Sequence, residues 1–340
     1  MKAAIFKEPH APLSVEDVPQ PTVQPDEVLV KVVACGVCHT DLHYIDHGVP
    51  TFKPPPIILG HECSGVVAEV GSEVEQWRPG DRVLLPAVLS CGSCRMCRLG
   101  RENICERMAM FGNHRDGAYA EYVTAPAKDI FRLPENVPLA ESSIIADALS
   151  TPYHAVKNRA RVQPGDRVVV FGCGGVGINV VQMAVAAGAL VVAVDVKDEK
   201  LEFAKQLGAW ATINPRTVDV KKEVRRLFDG GADIAIEAIG HPATIEQAFD
   251  CARTGGRLCV VGYTDQTAGL NAARLMFREM EIVGSLGCRP VDYPAIIQLV
   301  AQGRIRVEPV VTHRFPLAEI NQALDVLRRG EGLRTIIAFQ

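Results

Sequence analysis

The sequence predicts an α/β protein in which a mostly β region precedes a parallel sheet built from βαβ units. Up to about Ala125, short β-branched runs such as VLVKVVA and DRVLLP alternate with Pro, Gly and Asp turn signals. From Pro164 the pattern changes to strand, glycine and helix, as in RVVVFG followed by INVVQMAVAAG. That alternation is typical of parallel strands joined by helical crossovers. We therefore expect two domains of different architecture.

The composition favours a folded protein that acts on small molecules. The 340 residues are 48% hydrophobic and 22% charged, which is too apolar for disorder, and the chain is too long for one ordinary domain. A formal net charge of −4 gives no field that would gather nucleic acid. No apolar run has the length of a signal peptide or a membrane span. We expect a cytoplasmic protein whose partners are small substrates and further copies of itself.

Eleven cysteines suit metal binding in a reducing compartment better than a disulfide framework. Four of them form a C-x2-C-x2-C-x7-C pattern, namely Cys91, Cys94, Cys97 and Cys105. Four thiolates this close can surround Zn²⁺ with no open position, which is typical of a structural zinc. An iron–sulfur cluster and a set of unrelated surface thiols are the alternatives. Zinc is favoured, because several exposed free thiols would be easily oxidised.

A second group of possible metal ligands lies in CHTDLH at 38–43 and in GHE at 60–62. Cys38 and His61 together offer a thiolate and an imidazole, as a catalytic zinc with an open coordination position requires. A lone cysteine or histidine is more often part of a core. The spacing by itself leaves both interpretations open.

A glycine-rich turn predicts a dinucleotide site. GCGGVG follows the predicted strand RVVVF and precedes a predicted helix, which is the context that G-x-G-x-x-G requires. Asp195 ends the next predicted strand, where a carboxylate accepts hydrogen bonds from an adenosine ribose and repels a 2′-phosphate. This favours NAD(H) over NADP(H), the alternative being that Asp195 caps the following helix. The candidate contacts in the turn are Gly172, Gly174, Gly175, Val176 and Gly177.

Together, CHTDLH, GHE, the four-cysteine segment, GCGGVG and RTIIAF resemble the zinc-dependent alcohol dehydrogenases of the medium-chain dehydrogenase/reductase superfamily. The resemblance covers essentially the whole chain. It implies a GroES-like catalytic domain at 1–150 holding two zinc ions and a Rossmann domain at 151–286 whose doubly wound parallel sheet binds NAD. The segment 287–340 would return to the catalytic domain, with the active site in the cleft between the domains. We also expect a homodimer or homotetramer.

By the same resemblance, Cys38 and His61 are ligands of the catalytic zinc, and Asp41 and Glu62 are carboxylates behind them. The sequence departs from the family at the third ligand, where Asp147 stands in place of the usual cysteine. An aspartate oxygen also binds zinc and carries the same charge as a thiolate. We therefore expect zinc to bind, with an altered metal preference. The alternatives are that Asp147 only caps a helix and that Glu62 supplies the third ligand.

The resemblance also assigns a proton relay and further cofactor contacts. Thr40 would hydrogen-bond the zinc-bound alkoxide, and the proton would pass through the nicotinamide ribose to His43 as hydride moves to NAD. His39 and Arg334 are expected near the pyrophosphate, Lys200 near the adenosine ribose and Thr151 at the nicotinamide. The remaining expected contacts lie at the ends of two predicted strands, and they are Ile239, Gly240, Val261 and Gly262.

The predicted activity is the interconversion of alcohols with aldehydes or ketones by hydride transfer to and from NAD. Tyr44, Val49 and Phe111 are expected pocket walls, apolar enough to favour aliphatic or aromatic alcohols. Polyol, sugar and amino-alcohol dehydrogenases of the same superfamily are the nearest alternative. A non-catalytic zinc-stabilised binding protein is the alternative of a different class, but such a protein would not need a proton relay.

Overall fold

The change of sequence pattern between the first and second parts of the chain corresponds to two structural units. The structure is a computed structural model that describes residues 1–339. The first unit contains Met1–Ser150 and the chain from Gly287 onward, and the second contains Thr151–Leu286. Among the described residues, no helix is both long enough and apolar enough to cross a membrane.

The strands and helices are as follows, in chain order. The strands are β1 (Lys2–Phe6), β2 (Ser14–Asp17), β3 (Glu27–Val37), β4 (Ile57–Ile58), β5 (Glu62–Val70), β6 (Arg82–Leu85), β7 (Val88–Leu89), β8 (Ala109–Met110), β9 (Tyr122–Pro126), β10 (Phe131–Arg132), β11 (Arg167–Phe171), β12 (Leu190–Val194), β13 (Ala211–Ile213), β14 (Ala232–Glu237), β15 (Ala252–Val260), β16 (Glu281–Gly284), β17 (Val311–Phe315) and β18 (Arg334–Ala338). The helices are α1 (His39–Ile45), α2 (Arg95–Arg98), α3 (Ser150–Tyr153), α4 (Gly177–Ala186), α5 (Asp198–Gln206), α6 (Val220–Leu227), α7 (Pro242–Cys251), α8 (Ala272–Phe277), α9 (Tyr293–Ala301) and α10 (Ile320–Arg328).

The first unit is built around a largely antiparallel sheet with the order β10-β6-β5-β3-β18-β17, in which β9 also pairs with β3. Its core contains valines of β3, among them Val28 and Val30, whereas Lys31 between β3 core positions is exposed. Ile320 and Leu324, one helical turn apart on α10, pack into the same core. Apart from Glu27 and Lys31, β3 is apolar throughout and most of its residues are buried, as expected of a strand in the middle of the sheet.

The pairing of β3 with β5 positions the candidate metal ligands. The two strands are antiparallel, and Gly36 near the end of β3 lies opposite Glu62 at the start of β5. Cys38 follows β3 and His61 precedes β5, so the sheet register brings these two distant segments together. On the other side of β3, the C-terminal strand β18 pairs with the same end, with Thr335 opposite Val37.

The second unit contains a six-stranded parallel sheet with the order β13-β12-β11-β14-β15-β16. Its strand order reverses direction between β11 and β14, which is the topological switch point of a doubly wound sheet. Val168, Val169 and Val170 of β11 are all fully buried, as expected where helices cover both faces. The predicted fold class, a mostly β region followed by a doubly wound parallel sheet, is confirmed.

Candidate functional site

The four cysteines of segment 91–105 lie together. Their sulfurs are all within 4.8 Å of one another, with Sγ–Sγ distances of 3.5 Å for Cys94–Cys97, 3.8 Å for Cys94–Cys105 and 3.9 Å for Cys91–Cys97. A tetrahedral zinc with Zn–S bonds of about 2.3 Å places its sulfurs about 3.8 Å apart. The geometry therefore fits a zinc ion bound by four thiolates.

The electrostatics of the four-cysteine group also favour a cation. Hydrogen bonds from the amides of Ser93 and Cys94 lower the pKa of Cys91 to about 5, whereas burial raises the pKa of Cys97 to about 12. Hydrogen bonds between the sulfurs add to these opposite shifts, because a thiol that donates keeps its proton while its partner carries the negative charge. A divalent ion would stabilise all four thiolates together.

Arg107 belongs to this group, although no sequence pattern marks it. Its Nη2 donates to Cys91 Sγ at 3.5 Å and to Ser93 Oγ at 2.6 Å, and its backbone N–H donates to Cys105 Sγ at 3.3 Å. A guanidinium beside a thiolate offsets part of the negative charge that four thiolates carry around a divalent ion. Arg107 therefore contributes to the electrostatic balance of the group.

The second group of possible metal ligands contains Cys38, His61, Glu62 and Asp147. One ligand atom from each lies within 4.8 Å of all the others. Asp147 ends a 3₁₀ helix at Glu141–Ala146, and its Oδ2 is 3.9 Å from Cys38 Sγ and 3.7 Å from His61 Nε2. The structure thus brings Asp147 to the position where the sequence predicts a third ligand. The ligand role itself stays a prediction.

Several buried polar atoms of this group have no hydrogen-bond partner among the described residues, and a bound metal ion would give them one. Both ring nitrogens of the buried His61 and Oε1 of the buried Glu62 have no hydrogen-bond partner among the described residues. Leaving such a group unsatisfied typically costs about 1–3 kcal/mol. Burial lowers the pKa of His61, but the negative charge of Cys38 and the nearby Asp147 raise it well above its usual value. This group favours positive charge and offers sulfur, nitrogen and oxygen donors, so it fits a zinc ion.

Asp41 lies behind His61, on the side away from Asp147. The fully buried Asp41 carboxylate accepts hydrogen bonds at Oδ2 from the Tyr119 hydroxyl at 2.6 Å and from the Cys38 amide at 3.1 Å. Its Oδ1 is 3.7 Å from His61 Nδ1. Asp41 therefore faces Nδ1 and Asp147 faces Nε2, which fits a histidine that binds metal through Nε2. Tyr119 is not predicted from the sequence, because a tyrosine in a strand-like run carries no local signal of this contact.

Glu62 and Arg334 form a buried ion pair. Their side chains are 0% and 3% exposed, and Arg334 Nη2 donates to Glu62 Oε2. Burial raises the pKa of Glu62 to about 7, although the charge of Arg334 acts in the opposite direction. Arg334 is thus directed at a carboxylate within its own unit, and its expected contact with a pyrophosphate stays a prediction.

Helix α1 carries the residues expected to move protons and bind substrate. Cys38 Sγ is 3.6 Å from Thr40 Oγ1, so this hydroxyl lies beside the second metal group. His43 is half-buried, and burial together with the neighbouring His47 lowers its pKa. His39 is exposed at the start of the helix.

The three residues expected to line the substrate pocket differ in exposure, and their role stays a prediction. Tyr44 and Phe111 are 5% and 2% exposed and belong to the hydrophobic core of the first unit, whereas Val49 is 39% exposed. The Tyr44 hydroxyl accepts a hydrogen bond from Asn113 Nδ2 at 2.8 Å. Tyr44 and Phe111 therefore give no support to a preference for aliphatic or aromatic alcohols.

The predicted dinucleotide turn joins β11 to α4 in the second unit. Gly172 has φ +90°, and a Cβ at Gly177 would collide with the Gly172 carbonyl oxygen, so both positions require glycine. Around Gly174 a Cβ would meet no atom within 4 Å, which leaves open space beside the backbone. Gly175 and Val176 complete the turn ahead of the N-terminus of α4, where backbone N–H groups attract phosphate.

Asp195 lies against this turn. Its Oδ2 accepts the amide proton of Cys173 at 2.8 Å, and its Oδ1 accepts that of Lys197 at 2.9 Å. The carboxylate thus connects the glycine-rich turn to the residue that precedes α5. This position is the one predicted for a ribose contact. The bond to Lys197 supports part of the helix-cap alternative, because it stabilises the chain just before α5.

The remaining predicted cofactor residues of the second unit follow parallel strands or begin helices. Ile239 and Gly240 follow β14, Val261 and Gly262 follow β15, Lys200 lies on α5 and Thr151 lies on α3. The carboxyl ends of parallel strands lie on the same side of the sheet, and α/β proteins bind their ligands there.

Glu237, which no sequence pattern marks, fixes one of these strand ends. The side chain is fully buried and accepts the amide protons of Ile239 at 3.0 Å and Gly240 at 2.9 Å, and the hydroxyl proton of Thr244 at 2.8 Å. The loop after β14 is therefore held in place by a buried carboxylate.

Comparisons with known proteins agree with this geometry. The family model of the alcohol dehydrogenase GroES-like domain matches residues 24–135, and that of the zinc-binding dehydrogenase matches residues 175–302. The chain is 38% identical over 333 residues to an alcohol dehydrogenase of Geobacillus stearothermophilus, covering 97% of both proteins. It is 34% identical over 331 residues to a sorbitol dehydrogenase of Bacillus subtilis strain 168, covering 96% of this chain and 93% of that protein. The solved structure of alcohol dehydrogenase TADH from Thermus sp. ATN1 superposes with a TM-score of 0.93 at 31% identity, covering 100% of both chains.

Proposed function

This chain belongs to the zinc-dependent alcohol dehydrogenases of the medium-chain dehydrogenase/reductase superfamily, and from that premise we propose that it interconverts simple alcohols with aldehydes or ketones using NAD(H). The observation that carries the proposal is the second metal group. It combines a thiolate, an imidazole with no hydrogen-bond partner and carboxylates, and the Thr40 hydroxyl lies beside it. This donor set suits a catalytic metal better than a closed structural site.

We assign the catalytic zinc to Cys38, His61 and Asp147. One thiolate and one carboxylate balance the charge of Zn²⁺, and His61 Nε2 and Asp147 Oδ2 already face each other at 3.7 Å. The structural zinc belongs to the four-cysteine group. When bound, zinc lowers the pKa of an alcohol hydroxyl and NAD⁺ accepts a hydride.

The side chains around this group have complementary roles in the proposal. Thr40 hydrogen-bonds the substrate oxygen and accepts its proton while the proton of the Thr40 hydroxyl itself moves outward toward His43. His43 is the outer base, because a lowered pKa favours the neutral imidazole, which can accept a proton. Asp41 holds His61 in the orientation that directs Nε2 at the metal group.

The cofactor preference rests on Asp195. Two backbone N–H groups bind its two oxygens, so the carboxylate has a defined position beside the glycine-rich turn. A fixed negative charge there accepts hydrogen bonds from a ribose diol and repels a 2′-phosphate. We therefore propose NAD(H) as the preferred cofactor, bound by the turn at 172–177 and by the strand ends after β14 and β15.

A polyol or sugar alcohol is the second candidate substrate, because the sorbitol dehydrogenase relative is almost as similar to this chain as the alcohol dehydrogenase relative. The test is a screen of primary, secondary, cyclic and polyol substrates with the zinc-loaded protein, followed by NADH absorbance. NADH formation with simple alcohols supports the proposal. Reaction with polyols alone supports the second candidate, and no reaction with any alcohol would favour a non-catalytic binding protein.

We also propose that the chain forms a homodimer or homotetramer in the cytoplasm. Strand β16 is an edge strand, and several large apolar side chains of segment 272–284 are exposed, namely Met276, Phe277 and Ile282. Exposed apolar residues beside an unpaired strand edge are typical of protein interfaces. Light scattering coupled to gel filtration tests this, and a monomer at micromolar concentration would contradict it.

A further inference from the structure

His43 is paired with His47, a residue to which the proposed function gives no role. The Nδ1 atoms of the two imidazoles are 3.1 Å apart, and the ring planes are tilted by 45°. His43 lies on α1 and is half-buried, whereas His47 follows the end of the helix and is exposed. At this distance one Nδ1 donates a proton and the other accepts it. The pair therefore links a partly buried imidazole to one that is open to water.

We propose that His47 takes the proton from His43 and passes it to water, and that it holds His43 in the tautomer that can transfer it. This inference rests on the proposed function, in which His43 is the outer base. Because Nδ1 of His43 faces His47, the other ring nitrogen, Nε2, is the one that receives the proton. The two histidines thus act in series.

The transfer is balanced at each ring. A proton that reaches His43 forms an N–H bond at Nε2, and the N–H bond at Nδ1 breaks as His47 Nδ1 takes that proton. His47 then releases the proton on its own Nε2 to water, so neither ring keeps a positive charge. The pair is left with His47 donating to His43, which is the arrangement that delivers a proton inward when an aldehyde is reduced. Proton exchange with water resets it.

The carboxylate next to the pair, that of Asp46, is held by another partner. Asp46 lies between the two histidines in sequence, and its carboxylate accepts two hydrogen bonds from Arg328, at 2.7 and 2.8 Å. His10 is a third imidazole close enough to Asp46 to influence its pKa. Asp46 is therefore neutralised by Arg328, and burial together with the charge of His47 lowers the pKa of His43. A lowered pKa keeps His43 neutral and ready to accept a proton.

Two substitutions separate the two parts of the inference. In His47→Gln the side-chain carbonyl still accepts a hydrogen bond from His43 Nδ1–H but cannot take the proton. In His47→Ala both functions are lost. His10→Asn is the matched control, because it removes a neighbouring imidazole that is not paired with His43, and asparagine tolerates the left-handed backbone found at His10 (φ 63°).

The first measurement is the pH profile of kcat/KM for alcohol oxidation. In both His47 variants we expect a loss of about three- to tenfold near pH 6, smaller than the roughly 10²- to 10⁴-fold contribution of a general base itself. The loss should disappear at high pH or with added imidazole, while His10→Asn behaves as the wild type. The second measurement is the ¹⁵N NMR tautomer of His43, which should stay Nδ1–H in His47→Gln and become mixed in His47→Ala.

The outcomes distinguish this inference from the proposed function. If His43→Gln slows oxidation but both His47 variants keep the wild-type profile and tautomer, the inference is wrong and the proposed relay stands. If His43→Gln has no effect either, the relay itself is wrong and the inference with it.

Discussion

Replacement of Asp147 tests the proposed third ligand of the catalytic zinc. Asp147 Oδ2 is 3.9 Å from Cys38 Sγ and 3.7 Å from His61 Nε2, whereas the four cysteines form a separate group. Asp147→Ala should therefore remove zinc from the second group alone. The side chain is 23% exposed and lies outside the hydrophobic core, so the fold should survive.

The size of the effect follows from the role of a direct ligand. Removing a residue that only supports a ligand weakens metal binding about 10- to 100-fold, so loss of a ligand should weaken it by at least about 100-fold. That factor corresponds to about 2.7 kcal/mol. Asp147→Cys should restore zinc and at least part of the activity, because it creates a shell of two cysteines and one histidine. Asp147→Asn, which keeps the shape but not the charge, should bind zinc with intermediate affinity.

The assay is elemental analysis after gel filtration, combined with a chelator titration that counts zinc released per chain. The wild-type protein should contain two zinc ions, and Asp147→Ala should contain one and be inactive. Iron in the wild-type protein would instead indicate a cluster at the four cysteines. If Asp147→Ala keeps two zinc ions and near-normal turnover, the reasoning is wrong, and Glu62 becomes the candidate for the third ligand.

Four further predictions use the same structure. Asp195→Ser should raise the KM for NAD⁺ about 10- to 100-fold, from the loss of a charged hydrogen bond, and narrow the preference over NADP⁺; equal use of both cofactors by the wild type would contradict this. His43→Gln should slow alcohol oxidation chiefly at neutral and low pH with unchanged zinc content, and loss of zinc would show that His43 is a ligand. Arg107→Gln should speed zinc release to a chelator about tenfold, with Arg98→Gln as the control. Arg334→Met should destabilise the protein by about 3–5 kcal/mol in chemical denaturation, because it leaves a buried carboxylate unpaired; an unchanged midpoint would argue against the ion pair.

The sequence predicts those parts of the site whose residues are close along the chain. The four cysteines lie within segment 91–105, and the glycine-rich turn joins a strand directly to a helix, so spacing and context are sufficient. Asp147 comes 109 residues after Cys38, and only the family resemblance places them together. Sequence patterns are weakest for contacts of this kind, because nothing local records them.

The contacts that the sequence does not predict join residues that are far apart in the chain or that belong to no recognisable motif. Tyr119 reaches Asp41 from 78 residues away, and Glu62 and Arg334 are 272 residues apart. Glu237 is local to the loop it holds, but an acidic residue at a strand end does not by itself indicate a buried carboxylate that binds the backbone. In the fold, short β-branched runs between turn residues and the repeated order of strand, glycine and helix predicted the two architectures, whereas the position of β18 beside β3 depends on pairing between distant segments.

The position of β18 has a consequence for how this protein is made. A ribosome completes the whole second unit before it synthesises β17 and β18, so the parallel sheet can form while the first unit still lacks these two strands. Until then, β3 has no β18 neighbour at the end that leads to Cys38, and Glu62 has no Arg334 to neutralise it. The proposed ligand residues Cys38, His61 and Asp147 are all made before the second unit, but the end of β3 and the charge of Glu62 beside them stay unsupported until the last strand is added.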